Sequence, residues 1–237
     1  MLKDKIKNII PKKFHDKVYS LMVNFFDGHS TKIYSLEGED MILARIFEGK
    51  KNGFYVDVGA HHPKRFSNTY YFYKIGWNGI NIDAMPGSME IFKKDRPRDI
   101  NIEVAISDEN KKLTYYAFSD PALNGFSKDL SENVYQKDYE ILFKKEIKTL
   151  TLEQILDKFL PEKQKIDFLS IDVESLEFQV IKSNNWNKYM PDVILIEILD
   201  NDLESIFEND IYKFLKSKGF KMIAKTLNTV IFKKNHY

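Results

Sequence analysis

The sequence predicts an α/β protein built on a mostly parallel, seven-stranded sheet, with helices on both faces and an antiparallel hairpin at its C-terminal end. Three observations predict it. Apolar, strand-like runs recur at 54–58 (FYVDV), 79–83 (GINID), 101–106 (NIEVAI), 166–172 (IDFLSID) and 192–198 (DVILIEI), most of them separated by segments long enough for a crossover helix. The closing stretch FKMIAKTLNTVIFKK leaves no room for a helix between its two strand-like halves, which a hairpin explains. Acidic residues close or follow several of the runs, at the edge of an open sheet where ligands bind.

Taken in chain order, residues 1–30 stand apart as a basic amphipathic extension. Positions 1–17 hold six lysines against Asp4 and Asp16, while Ile6, Ile9, Ile10, Phe14, Val18, Leu21, Met22 and Phe25 recur at helical spacing and Pro11 opens a second helical piece. Such a stripe can lie peripherally on an anionic bilayer. Packing on its own domain, or on a second subunit in a homodimer, is the more ordinary cause of the pattern. One domain is expected over 31–237. SLEGEDMILARIFEG (35–49) is expected to be a helix capped near Ser35, with Met41, Ile42, Ile46 and Phe47 on its apolar face. Further helices are expected at 66–75, 87–95, 151–160, 176–184 and 203–218, the last ending at Gly219. The aromatic run TYYFYKIGW (69–77) is read as core rather than as a sugar-stacking surface, because its rings recur at helical spacing. Tyr115, Tyr116 and Phe118 read as a strand leading into 119–146, a polar stretch of weak periodicity and the candidate acceptor-binding insert or lid.

Composition sets the broad limits. With 43% hydrophobic and 14% aromatic content, 237 residues can bury a sizeable core. The 36 basic against 35 acidic residues give a net charge of +1, so no global positive field argues for nucleic acid. The absence of cysteine removes disulfides, thiolate zinc sites and cysteine nucleophiles, and fits a reducing, cytoplasmic setting. No apolar run approaches the roughly 18 residues of a spanning helix, and the N-terminus shows no pattern of a cleavable leader.

The strand ends carry the candidate chemistry. Asp57 lies at the end of the first run, Asp83 closes the second, Asp172 and Glu174 follow the fourth and Glu197 sits inside the fifth. Burying an unpaired carboxylate is costly, whereas a strand end facing a ligand gives it a partner. The first turn, DVGAHHP, has one glycine where a dinucleotide cradle wants three, so a nicotinamide-dependent oxidoreductase is the weaker enzyme reading. Gly59 still allows close backbone approach, and Asp83, 24 positions on, stands near the usual offset of a ribose-binding carboxylate. A cofactor without phosphates, such as S-adenosylmethionine, needs only that turn and that acid.

YSLEGEDMILARIF, GFYVDVGAHHPKRFSNTYYFYKIGWNGINIDAMPGSMEIF, NIEVAISD and LSIDVESLEFQVI together resemble the FkbM family of S-adenosylmethionine-dependent methyltransferases, over about residues 34–232. The resemblance implies the class I methyltransferase, Rossmann-like sheet. It also implies methylation mostly of oxygen nucleophiles, commonly sugar hydroxyls of surface polysaccharides, glycolipids or secondary metabolites. Carried across by position, it makes Asp57, Gly59 and Ala60 the turn beneath the methionine moiety, and Asp83, with Ala84 beside it, the ribose anchor. It sets Ser67, Asn68 and Thr69 in the same crevice, Ser107 and Asp108 near the adenine, and Glu39 at the crevice edge. Ordinary alternatives stand beside these: Ser67 as a helix cap, Asp108 in the turn SDEN, Glu39 as a solvated helix residue. Two positions depart from the family pattern, Leu36 where glutamine is expected and Ser175 where glycine is expected.

Methyl transfer to a hydroxyl needs the acceptor oxygen aligned with the methyl group and its proton removed. His61, His62, Asp172 and Glu197 are the candidate bases. A divalent metal is the alternative device, with Asp172, Glu174, Glu197 and His62 as expected ligands and Mg²⁺ or Mn²⁺ as the expected ion, since the set is rich in oxygen. The plain alternative for DVE is an acid-rich helix start. The expected acceptor is a nucleotide-activated sugar, such as an NDP-heptose, or a bacterial surface polysaccharide such as a capsule. Methylation of nitrogen on an amino sugar or phosphoramidate precursor, and a cofactor-binding module without turnover, are the competing readings.

Overall fold

The computed structural model describes residues 11–15, 17–18, 20–21, 30–120, 123–127, 138–199 and 202–235. They belong to two compact units, residues 1–33 and 34–237. In the first, Pro11 precedes a single 3-10 turn at Lys12–Phe14, and helical backbone follows at His15, Lys17, Val18, Ser20 and Leu21. Ile6, Ile9, Ile10, Met22 and Phe25 of the expected stripe lie outside the described residues. Among the described residues no helix is long and apolar enough to cross a membrane.

In the larger unit β1 (Phe54–Val58) is central. All five of its residues are buried, and it pairs in parallel with β2 (Asn78–Asp83) on one side and β7 (Phe168–Ile171) on the other. β2 continues to β3 (Ile100–Glu103) and β7 to β8 (Val193–Glu197). The hairpin of β9 (Phe220–Lys225) and β10 (Thr229–Lys234) joins β8 through β10, which runs against its neighbours. The order is β3-β2-β1-β7-β8-β10-β9, with the sense of every strand but β10 the same.

Near-continuous apolar strands need both faces covered, and both are. Successive side chains point to opposite sides. Tyr55, Phe168 and Leu195 pack on one face with Leu43 of α1 (Glu39–Ile46), with Phe72 and Tyr73 of α2 (Tyr70–Lys74), and with Trp77. The aromatic run is therefore core: Phe72 and Trp77 are each 1% exposed, and truncating either to alanine should cost roughly 3–5 kcal/mol. α3 (Ser88–Asp95) inserts Met89 and Phe92 against Ala60. On the opposite face Val56, Val58, Ile80, Ile82 and Ile194 meet residues of α4 (Leu152–Phe159), α5 (Glu177–Lys182) and α6 (Asp210–Ser217).

Several local expectations are corrected. The helix expected over 35–49 begins only at Glu39, after Gly38 at φ 87°, because Ser35 and Asp40 hydrogen-bond one another instead of opening a turn. It buries Glu39, Asp40 and Leu43, while Met41 stays half-buried. The helix expected over 66–75 shrinks to α2, since the backbone before it turns through Phe66 at φ 56°. The third run breaks at Val104: β3 stays in the main sheet, while β4 (Ala105–Ile106) pairs with β6 (Ile141–Leu150), which also pairs with β5 (Lys112–Phe118). Part of the expected insert 119–146 is thus strand, and its residues 121–122 and 128–137 lie outside the described residues. The segment 203–218 divides at Asn209, whose side chain accepts the Ile211 N–H and caps α6.

Candidate active site

Parallel strands bring their C-terminal ends to one rim, and here that rim encloses a cavity of about 350 Å³, within the roughly 300–1,000 Å³ of small-molecule sites. Val58 at the end of β1 and Gly59 just after it line the cavity, with Ile82 and Asp83 from β2, Asp172 to Glu174 from the turn after β7, and Glu197 from β8. Thr229 adds the start of β10, and His61, Phe66 and Asn68 the loop after β1.

The floor needs a glycine for two separate reasons. Gly59 holds φ 83°, and a Cβ on it would stand 1.6 Å from the Asp172 carbonyl oxygen. Asp172 N–H in turn donates to the Val58 carbonyl (3.0 Å), so the ends of β1 and β7 touch backbone to backbone.

Asp83 anchors one side. Its two oxygens accept the N–H groups of His61 and Met85, each at 2.8 Å, and the residue is 9% exposed. Burial pushes its carboxyl upward, and those two N–H groups pull it back. Around it Met85, Val104, Ala105, Ile106 and Tyr115 form an apolar wall. Residues 123–126 complete that wall: Gly125 exchanges backbone hydrogen bonds with Tyr116 (2.9 and 3.2 Å) and lies so near Glu174 that an added Cβ would meet its Cβ at 2.9 Å.

The other side is acidic. Asp172, Glu177 and Glu197 each bring one oxygen within 4.8 Å of the others. Asp172 is open to the cavity yet ringed by protein, and burial followed by repulsion from Glu177, Asp57 and Glu39 raises its carboxyl to about 7. Burial and the neighbouring acids, Asp172 first, raise Glu197 to about 10 and Glu174 to about 8. Oε2 of Glu197 is buried with no protein donor to meet it, and the Asp172 carboxyl lies within hydrogen-bond reach. Glu177 is held by the N–H groups of Val173 (3.0 Å) and Ser175 (3.3 Å). The turn carrying these acids is strained, with Glu174 at φ 52° and Ser175 at φ 91°. Serine therefore occupies a backbone position that suits glycine.

α1 and the β9–β10 hairpin close the rim together. Glu39, 3% exposed, accepts the Thr229 hydroxyl (3.2 Å), and Glu37 accepts the Asn228 N–H (3.0 Å).

Of the residues singled out from the sequence, the structure gathers Glu39, Gly59, His61, Asn68, Asp83, Ala84, Asp172, Glu174 and Glu197 around the cavity. Asp57, Ala60, His62, Ser67, Thr69, Ser107 and Asp108 do not line it, each for a physical reason. Asp57 turns below the floor, where burial pushes its carboxyl up while Arg96 and the hydroxyls of Thr69 and Ser170 pull it back. Arg96, with no exposed surface, donates to Thr69 (2.9 Å), Asp99 (2.8 Å) and the Tyr55 hydroxyl (2.8 Å). Thr69 is consumed by that network, and Ser67 takes the Tyr70 N–H at the start of α2 (3.1 Å). Ala60 packs on Met89 and Phe92. His62 spends Nδ1 on the N–H groups of Lys64 (3.1 Å) and Arg65 (3.0 Å) and lies apart from the converging acids Asp172, Glu177 and Glu197. Ser107 donates to Asp108, which pairs with Lys111 and Lys182. Sequence reasoning missed Glu177, because an acid in the first turn of a helix reads as a dipole partner. It also missed Phe66 and Asn124, which no spacing rule marks.

The sequence model of the methyltransferase FkbM domain matches residues 57–222. Among solved structures, similarity is found to a TehB-like SAM-dependent methyltransferase from Corynebacterium glutamicum (11% identity, TM-score 0.43, covering 94% of this chain and 100% of that one). It is also found to a protein described as a type 11 methyltransferase from Sulfolobus solfataricus (16%, 0.41, 86% and 95%) and to one described as a caffeoyl-CoA O-methyltransferase from Staphylococcus aureus (13%, 0.41, 99% and 97%). No curated protein matches the chain. The matched span runs from Asp57 in β1 to Met222 in β9 and takes in Asp83, Asp172, Glu177 and Glu197: the chain belongs to the FkbM methyltransferase family and is an S-adenosylmethionine-dependent methyltransferase.

Proposed function

We propose that this enzyme methylates a sugar hydroxyl, on a nucleotide-activated sugar or a glycan, and that Asp172, Glu177 and Glu197 hold a divalent cation beside that hydroxyl. The observation supporting this reading is the acid cluster. Three carboxylates that converge within 4.8 Å, one with an unmet buried oxygen, call for positive charge, and an all-oxygen set fits Mg²⁺ or Mn²⁺. Such an ion, when bound, acidifies a coordinated hydroxyl.

The chain's own groups divide the remaining work. Asp83 keeps lone pairs free for the ribose hydroxyls after accepting two N–H groups, and the wall of Met85, Val104, Ile106 and Tyr115 suits the adenine. Glu39 and Glu174 favour the cationic methionine end. His61, which burial and then Arg65 keep below its ordinary value of 6.5, is neutral near pH 7 and can take the hydroxyl proton as the oxygen displaces the sulfonium at the methyl carbon. A nucleotide-linked acceptor would put the reaction in the cytoplasm.

The same acids would also hold an ammonium acceptor, which gives N-methylation of an amino sugar support of its own. One assay separates them: labelled S-adenosylmethionine with nucleotide-linked sugars and amino sugars, in chelator and in Mg²⁺ or Mn²⁺. The expected result is O-methylation lost on chelation and restored by the ion. Turnover indifferent to chelator rejects the cation, and label found only on amines rejects the hydroxyl.

A further inference from the structure

The turn between β1 and α2 is built more firmly than a connection requires. His61 N–H donates to Asp83, His62 N–H donates to the Ala60 carbonyl (2.6 Å), and the His62 ring braces the turn from inside through the N–H groups of Lys64 and Arg65. The turn ends at Phe66, and Ser67 N–H then donates to the Tyr34 carbonyl (3.0 Å). Phe66 sits at φ 56°, a left-handed backbone that a bulky aromatic residue adopts only under constraint.

That constraint presents an exposed ring rather than hiding it. Phe66 is 40% exposed and lines the cavity. Its ring lies within 14° of parallel to the His61 ring, with centroids 6.5 Å apart, and the Arg65 guanidinium stands 4.4 Å from its centroid. Glu37, Asn68 and Asn228 line the same cavity with hydrogen-bonding groups. A flat apolar surface bordered by such groups matches a sugar ring, which has an apolar C–H face and a rim of hydroxyls. The wall read above as suiting the adenine is separate from it, with Met85 just after β2 and Tyr115 on β5.

We propose that Phe66, supported by His61 and Arg65, is the platform on which the acceptor sugar stacks, and hence a specificity-determining residue. This rests on the sugar-hydroxyl reading above. The test uses the full chain, labelled S-adenosylmethionine and a panel of nucleotide-linked hexoses and heptoses. For a sugar that the wild type methylates, Phe66→Leu is expected to raise the acceptor KM about tenfold, with kcat and the cofactor Kd unchanged. Phe66→Trp is expected to hold KM at or below the wild-type value. Equal KM for Phe66→Leu and wild type, or a fall in kcat alone, overturns the platform and leaves the sugar reading standing. If Phe66→Leu does not fold, Phe66→Trp decides alone, and a KM above wild type overturns the platform. Wild-type enzyme that methylates no sugar of the panel, nor any sugar of a surface glycan offered beside it, removes the sugar reading, and the platform with it, without any variant being made.

Discussion

Two groups of buried acids lie on either side of the β1 end, and the protein treats them in opposite ways. Below the floor, Asp57 and Asp99 share the guanidinium of Arg96, and Asp99 also receives the Tyr55 hydroxyl, the Gly79 N–H (3.0 Å) and the Asn81 amide (3.0 Å). Burial works against the charge of Arg96, yet Tyr55, Asp99 and Asp57 outweigh it and keep the guanidinium ionised. Above the floor, the leading charge effects on Asp172 and Glu197 all come from other acids. Charge that the chain itself neutralises is architecture. Acids that the chain leaves without counter-charge are raised instead, and on the proposed reading they give up their protons to an arriving cation.

Three substitutions probe that contrast. The largest expected effect is that of Arg96→Met, which strands Asp57 and Asp99 without counter-charge and should lower unfolding free energy by about 3–5 kcal/mol in urea titrations. A loss under about 1 kcal/mol would erase the distinction. Asp172→Asn should act with the opposite sign on stability, relieving repulsion in the cation-free protein while methyl transfer falls by about 10²–10⁴-fold and cofactor still binds. The pH dependence sharpens it. With Asp172 raised from 3.8 to about 7, the folded wild type keeps a proton that the unfolded chain releases, so cation-free stability should decline as pH climbs through that window. Asp172→Asn should flatten the decline, and a parallel slope in both proteins would contradict the assignment. The smallest effect is Ser175→Gly, expected to add about 1 kcal/mol by relieving the left-handed backbone at φ 91°. A destabilised variant would mean that the serine side chain does something the geometry does not reveal.

The main sheet was legible because doubly covered parallel strands write themselves as apolar runs, and because nothing helical fits between the halves of the final hairpin. Acids at the ends of those runs marked the rim correctly for Asp83, Asp172 and Glu197. β6 escaped because its outward residues, Lys144, Lys145 and Lys148 among them, break the two-residue alternation of a half-buried strand. Asp57 was expected to face the cavity, since the network that draws it below the floor depends on Arg96, at the far end of α3. Which histidine turns inward depends on a backbone angle, φ 51° at His61, that composition and spacing do not encode.

The contact between Glu39 and Thr229 has a consequence for biosynthesis. The two residues are 190 positions apart, so the wall of the cavity cannot be finished while the ribosome is still making the strands that form its floor. A nascent chain halted before the hairpin would carry Asp83, Asp172 and Glu197 on the rim and yet lack the Asn228 and Thr229 side of the cavity.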